Sequence, residues 1–182
     1  MGTSDIRKEE TKENEEDTAV KLLSSQISSY FDQVVERYYR LIVVVVPATR
    51  SQTINFCQVA ESTNSRYVNI NLELSGRLLE LRQLHRATQV QQLLAEIIGN
   101  TNNGAVFLDR LEILFDESLK LKPLERLQKL ARDKPGTACA KGDRTIVAVW
   151  NGNIENNSLI YAKSGHPEYC RCPTDDCIVI NL

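Results

Sequence analysis

Thr53, Asp109 and Asn151 each stand just beyond one of the three most apolar runs of the chain, Leu41–Pro47, Gly104–Leu108 and Arg144–Trp150. A hydroxyl, a carboxylate and an amide at the carboxyl ends of neighbouring buried strands form a set suited to a divalent cation and a phosphate group. The segment RLIVVVVPATRSQT, residues 40–53, carries the first of them. Set against the phosphate-loop pattern G-x-x-x-x-G-K-[ST], the residues in register are Val46, Ser51, Gln52 and Thr53, and only Thr53 matches. The pattern needs glycines because loop residues must reach positive φ and let backbone N–H groups close around phosphate oxygens. Between Thr3 and Ser75 there is no glycine. It needs lysine because an ammonium neutralises phosphate charge, whereas the Gln52 amide donates hydrogen bonds without charge. Arg50 restores a positive charge close by.

The carboxylate closes GAVFLD, residues 104–109, and in this context reads as a Walker B aspartate that orients magnesium. An apolar strand ending in Asp is also common in any α/β protein. The glutamate that activates water in additional-strand ATPases would follow directly, but Arg110 stands there and Glu112 comes two residues later. Asn151 occupies the place of a sensor residue near the γ-phosphate; an Asn-Gly turn ending the strand accounts for it equally well.

These side chains need a sheet to bring them together. Leu41–Pro47 and Arg144–Trp150 have the unbroken apolar, β-branched character of strands buried on both faces of a parallel sheet. RYVNINL, residues 66–72, is expected to be a second strand, and Ser158–Ala162 a final short one. Helical spacing of apolar residues is seen over Ala19–Tyr39, over Ser75–Ile98 and, opened by Pro123, over residues 123–132; a shorter amphipathic segment covers Thr53–Ser62. Asn100–Asn103 and the loop Lys134–Asp143 break the pattern. Alternation of this kind predicts a three-layer α/β fold with a parallel sheet, and the segments at 40–53 and 104–109 assign it to the P-loop NTPase-like, additional-strand or AAA-like class.

Asp5–Asp17 carries seven acidic and three basic side chains, a surplus of four negative charges against a whole-chain charge of −2. Residues 1–18 are therefore expected to be a disordered acidic tail, 19–169 the folded domain, and 170–182 a cysteine-bearing C-terminal tail. No apolar run is long enough to span a bilayer and no signal-peptide core is visible, so a cytoplasmic protein is expected. Five cysteines, at 57, 139, 170, 172 and 177, argue against a disulfide framework. His166, Cys170, Cys172 and Cys177 are four soft ligands within a short span, but H-x₃-C-x-C-x₄-C suits tetrahedral zinc poorly, and a surface tail is the preferred reading. Lys120–Arg144 holds eight basic and three acidic residues. The excess could meet DNA phosphates, but no DNA-binding motif accompanies it, and a solvated helix face is preferred.

Several stretches together resemble a known family. VNINLELSGRLLEL (68–81), AVFLDRLEILFD (105–116), RTIVAVWNG (144–152) and LIYAKSGHPEY (159–169) resemble the BrxF family of small P-loop proteins of type 3 BREX phage-defence systems. The resemblance covers roughly residues 20–169. It implies a subunit of a bacterial antiviral system, working beside a DNA methyltransferase, an alkaline-phosphatase-like protein and a large ATPase, with self-assembly also open to it. A family loop GPSGSGKT would fall on Val46–Thr53, where Val46, Thr49 and Ser51 replace glycines and Gln52 replaces the lysine. On this basis Ser51, Gln52, Thr53, Asp109 and Asn151 are the expected nucleotide contacts, Thr53 and Asp109 the magnesium ligands, and ATP with Mg²⁺ the expected cofactors. Hydrolysis by this chain alone is not expected. Protein–protein assembly is the first functional expectation, and an ATP-binding switch or slow ATPase the second.

Overall fold

The structure, a computed structural model, describes residues 3–47, 49–50, 53–99, 104–132 and 144–182, with side chains described from residue 16 onward. Ser51, Gln52, Cys139, the Asn100–Asn103 break and nearly all of the loop to Asp143 lie outside the described residues.

Five parallel strands make the main sheet: β1 (Leu41–Val46), β2 (Arg66–Asn69), β3 (Ala105–Asp109), β4 (Thr145–Asn151) and β8 (Ile178–Asn181), in the order β2-β3-β4-β1-β8. β4 thus lies between β1 and β3. Every residue of β1 is buried, as expected for a strand covered on both faces. Successive side chains sort to opposite sides. Leu41, Val43 and Val45 join one core and Ile42, Val44 and Val46 the other.

The first core is covered by α3 (Ile70–Leu79), α4 (Gln83–Ile98) and α5 (Pro123–Arg132), through Leu74, Leu94 and Leu127 among others. The second is covered by α1 (Thr3–Val35) and α2 (Phe56–Ser62), through Leu23, Ile27, Phe56 and Val59. Helices therefore flank the parallel sheet on both sides, as the sequence predicts. Among the described residues, no helix is long and apolar enough to cross a membrane.

Four expectations need correction. Residues 3–18, expected as part of a disordered tail, continue the leading helix as the first half of α1. RYVNINL is a strand only as far as Asn69, whose side chain accepts from the Leu72 N–H at 3.0 Å and caps α3, so Ile70 and Leu72 belong to a helix. The single helix expected over Ser75–Ile98 is two helices, α3 and α4, separated at Glu80–Arg82. The C-terminal segment is no tail: it supplies β7 (Cys170–Pro173) and β8, and β8 pairs in register with β1 from Ile42↔Ile178 to Val45↔Asn181.

A second, antiparallel sheet follows β4, in the order β5 (Asn153–Glu155), β6 (Ser158–Tyr161) and β7. Asn156 and Asn157, both at positive φ (47° and 54°), make the two-residue turn between β5 and β6, a conformation asparagine tolerates. Two contacts hold this sheet to the main one. The Trp150 indole N–H donates to the Ile160 carbonyl at 3.2 Å, and Phe115 packs edge-on to Trp150 and flat on Tyr161.

Candidate functional site

The parallel order brings the carboxyl ends of β1, β3 and β4 side by side, and the predicted residues follow from it. Val46 is aligned with Asn151, and Asn69 with Asp109. Asp109 and Asn151 therefore share one edge with the start of the loop that leads to Thr53.

Thr53 lies in a turn ahead of α2 and outside it. Its hydroxyl donates to the Arg50 carbonyl at 2.9 Å, and its N–H to the same oxygen at 3.1 Å. The helix is instead capped by Asn55, whose side chain accepts from the Gln58 N–H at 3.3 Å. The amphipathic segment read from Thr53 thus begins its helix at Phe56, and the hydroxyl in register with the metal-binding threonine is already engaged.

Asp109 is buried, with both carboxylate oxygens occupied. Tyr67 donates its phenol to Oδ2 at 2.9 Å, and the backbone N–H of Arg110 donates to Oδ1 at 2.7 Å. The Arg110 guanidinium lies 3.9 Å from Oδ2. Arg110 has a φ of +54°, so the chain turns sharply as it leaves β3, and its carbonyl accepts from the Asn71 N–H at 2.9 Å. Burial and the hydrogen bond to Asp109 push the Tyr67 phenol well above its ordinary value, which keeps it a donor.

Asn151 faces a residue absent from the expected set. Its amide donates to Glu112 Oε1 at 2.8 Å, while Glu112 Oε2 is buried with no hydrogen-bond partner among the described residues. A single 3₁₀ turn, Glu112–Phe115, carries Glu112 from beside Asp109 round to the end of β4. Tyr161 stands close by, pushed up to about 12 by burial, Glu168 and Glu112 in that order. Tyr67 and Glu112 are thus the site residues that sequence reading misses. The position of Glu112, one helical turn past Asp109, was the available signal; Tyr67 had none.

Among the described residues, the groups in register with a phosphate loop and its metal are engaged within the chain. Thr53 gives its hydroxyl proton to the Arg50 carbonyl and each Asp109 oxygen accepts one internal hydrogen bond, so these groups are oriented by the chain itself, with lone pairs left on both. Among the described residues, no group of three or more His, Cys, Asp or Glu side chains is gathered to hold a metal ion. The soft-ligand set divides: Cys170 and Cys172 come together, Cys177 donates to the Thr174 carbonyl at 3.2 Å, and His166 Nδ1 accepts from the Glu168 N–H at 3.2 Å. Part of the basic excess before β4 is engaged within the chain. Arg144 is buried and donates to the carbonyls of Leu130 and Gly99, Lys122 pairs with Glu125, and Arg132 reaches the Tyr38 hydroxyl. The chain matches no family model, and no curated protein matches it at a significant level.

Proposed function

We propose that this chain is a P-loop-fold subunit of a bacterial antiphage system of the BREX type 3 kind, acting through protein–protein assembly and binding nucleotide weakly or not at all. The observation that carries the assembly reading is the closure of Asp109. Asp109 is buried and both its oxygens are turned to donors of the chain itself, Tyr67 and the Arg110 N–H, which supports a structural use of the carboxylate. Support for the P-loop class comes from the strand order, with β4 inserted between the loop-bearing β1 and the Asp-bearing β3, as the additional-strand class requires. The partners on this reading are other subunits of the same defence system, or further copies of the chain.

One observation favours a second reading, a nucleotide-dependent switch. Glu112 is held by Asn151 at the strand edge and keeps one buried oxygen without a partner among the described residues, an acceptor open to a further donor.

Titration with a fluorescent ATP analogue and Mg²⁺ separates the two. The assembly reading expects no saturable micromolar binding, together with co-purification of neighbouring defence proteins. Micromolar affinity lost on Asp109→Ala or Glu112→Gln would establish the switch instead.

A further inference from the structure

Cys170 and Cys172 are two residues apart on β7 and so project from the same face of the strand. Their sulfur atoms are 3.2 Å apart. β7 is the edge of its sheet, paired only with β6, so its other side is unconstrained by ladder bonds. The cysteine pair lines a groove of about 510 Å³ whose apolar side is formed by Tyr39, Leu121 and Leu124. The charged groups facing the groove are Lys122, Arg171, Glu125, Asp175 and Asp176.

We propose that Cys170 and Cys172 form a thiol–disulfide exchange couple that reacts in this groove with low-molecular-weight disulfides of the glutathione class. Cys170, as thiolate, attacks one sulfur of the small disulfide; that S–S bond breaks and one small thiolate leaves. Cys172 then gives up its proton and attacks the Cys170 sulfur. The mixed disulfide breaks, the second small thiolate leaves, and a Cys170–Cys172 bond remains. Two electrons have passed from the cysteine pair to the small disulfide, and the two thiol protons end on the two small thiols.

The S–H of either cysteine can donate to the other sulfur, so the pair shares one hydrogen bond that stabilises a thiolate. That contact holds the Cys170 thiol below its ordinary value and, with burial, raises Cys172, so Cys170 is taken as the attacking sulfur. Two residues of extended strand span about 6.6 Å between Cα atoms, near the upper end of the roughly 4.4–6.8 Å that disulfides accept. The bond therefore forms with a slight shortening of an edge strand, and it is strained and easily reduced. Among the described residues Cys57 and Cys177 have no sulfur partner, and both are raised by burial first, so they provide internal controls.

The test treats the full chain with oxidised glutathione, quenches with acid, alkylates free thiols and maps the peptides. The expected wild-type product is a Cys170–Cys172 bond without lasting glutathione adduct, reversed by excess reduced glutathione. In Cys172→Ser the expected product is glutathione trapped on Cys170, forming at least about tenfold faster than on Cys57 or Cys177. The proposal is overturned if wild-type Cys170 keeps glutathione with no bond to Cys172, or if Cys170 reacts no faster than Cys57. The wild-type map decides the matter even if the serine variant does not fold.

Discussion

At the scale of the residue, the chemistry of this chain turns on which polar groups are already satisfied. Asp109 and Tyr67 are 42 positions apart in the chain and meet because β2 and β3 pair in register. Tyr67→Phe removes a donor to a buried carboxylate while keeping the ring, and should cost about 1.5–3 kcal/mol, read as a lowered denaturant midpoint at unchanged slope. If Asp109 were instead open to solvent, the loss would be near zero. Such a contact is invisible in sequence because it depends on strand register, which no local pattern around Tyr67 announces. The reverse holds for Thr53, whose match to a phosphate-loop threonine is plain in the sequence and whose hydroxyl nonetheless serves the turn it stands in.

At the scale of the element, legibility follows burial. β1, β3 and β4 were readable because strands covered on both faces must be apolar throughout, and their sequences have no polar alternation to confuse them. β2 was read too long because Ile70 and Leu72 continue an alternating pattern past the cap that ends it. The gap between α3 and α4 carries neither glycine nor proline; it is set by how each helix packs on the sheet. β8 was missed because four residues after a run of cysteines and aspartates give too short a signal, and its partner β1 is distant in sequence. Gly152, read as part of a turn, has a firmer reason to be glycine. A Cβ there would run into the Ile160 carbonyl that also accepts from Trp150, and the Gly152 N–H donates to Val46 at 2.9 Å. Gly152→Ala should destabilise by about 1–3 kcal/mol, measured by chemical unfolding, with the loss of Trp150 fluorescence as the probe.

At the scale of the whole molecule, the two cores meet only through the sheet, and β8 contributes to both: Ile178 and Ile180 pack with α1 and α2, and Val179 with the opposite core. Ile180→Ala should therefore cost about 2–5 kcal/mol, checked by the shift in unfolding midpoint, although it lies far along the chain from Thr53, Asp109 and Asn151. The same arrangement has a consequence for how the protein comes to be folded. β1 acquires its two neighbours, β4 and β8, only from chain made more than a hundred residues later. Until then LIVVVV, an uninterrupted β-branched run without charge, proline or glycine, has both hydrogen-bonding edges open. Such a segment is a template for strands of other molecules, and pairings so distant in sequence form slowly. Competition between β4 and a neighbouring copy of β1 should then set the yield of native protein, so that slow synthesis at low temperature and low concentration favours folding over aggregation.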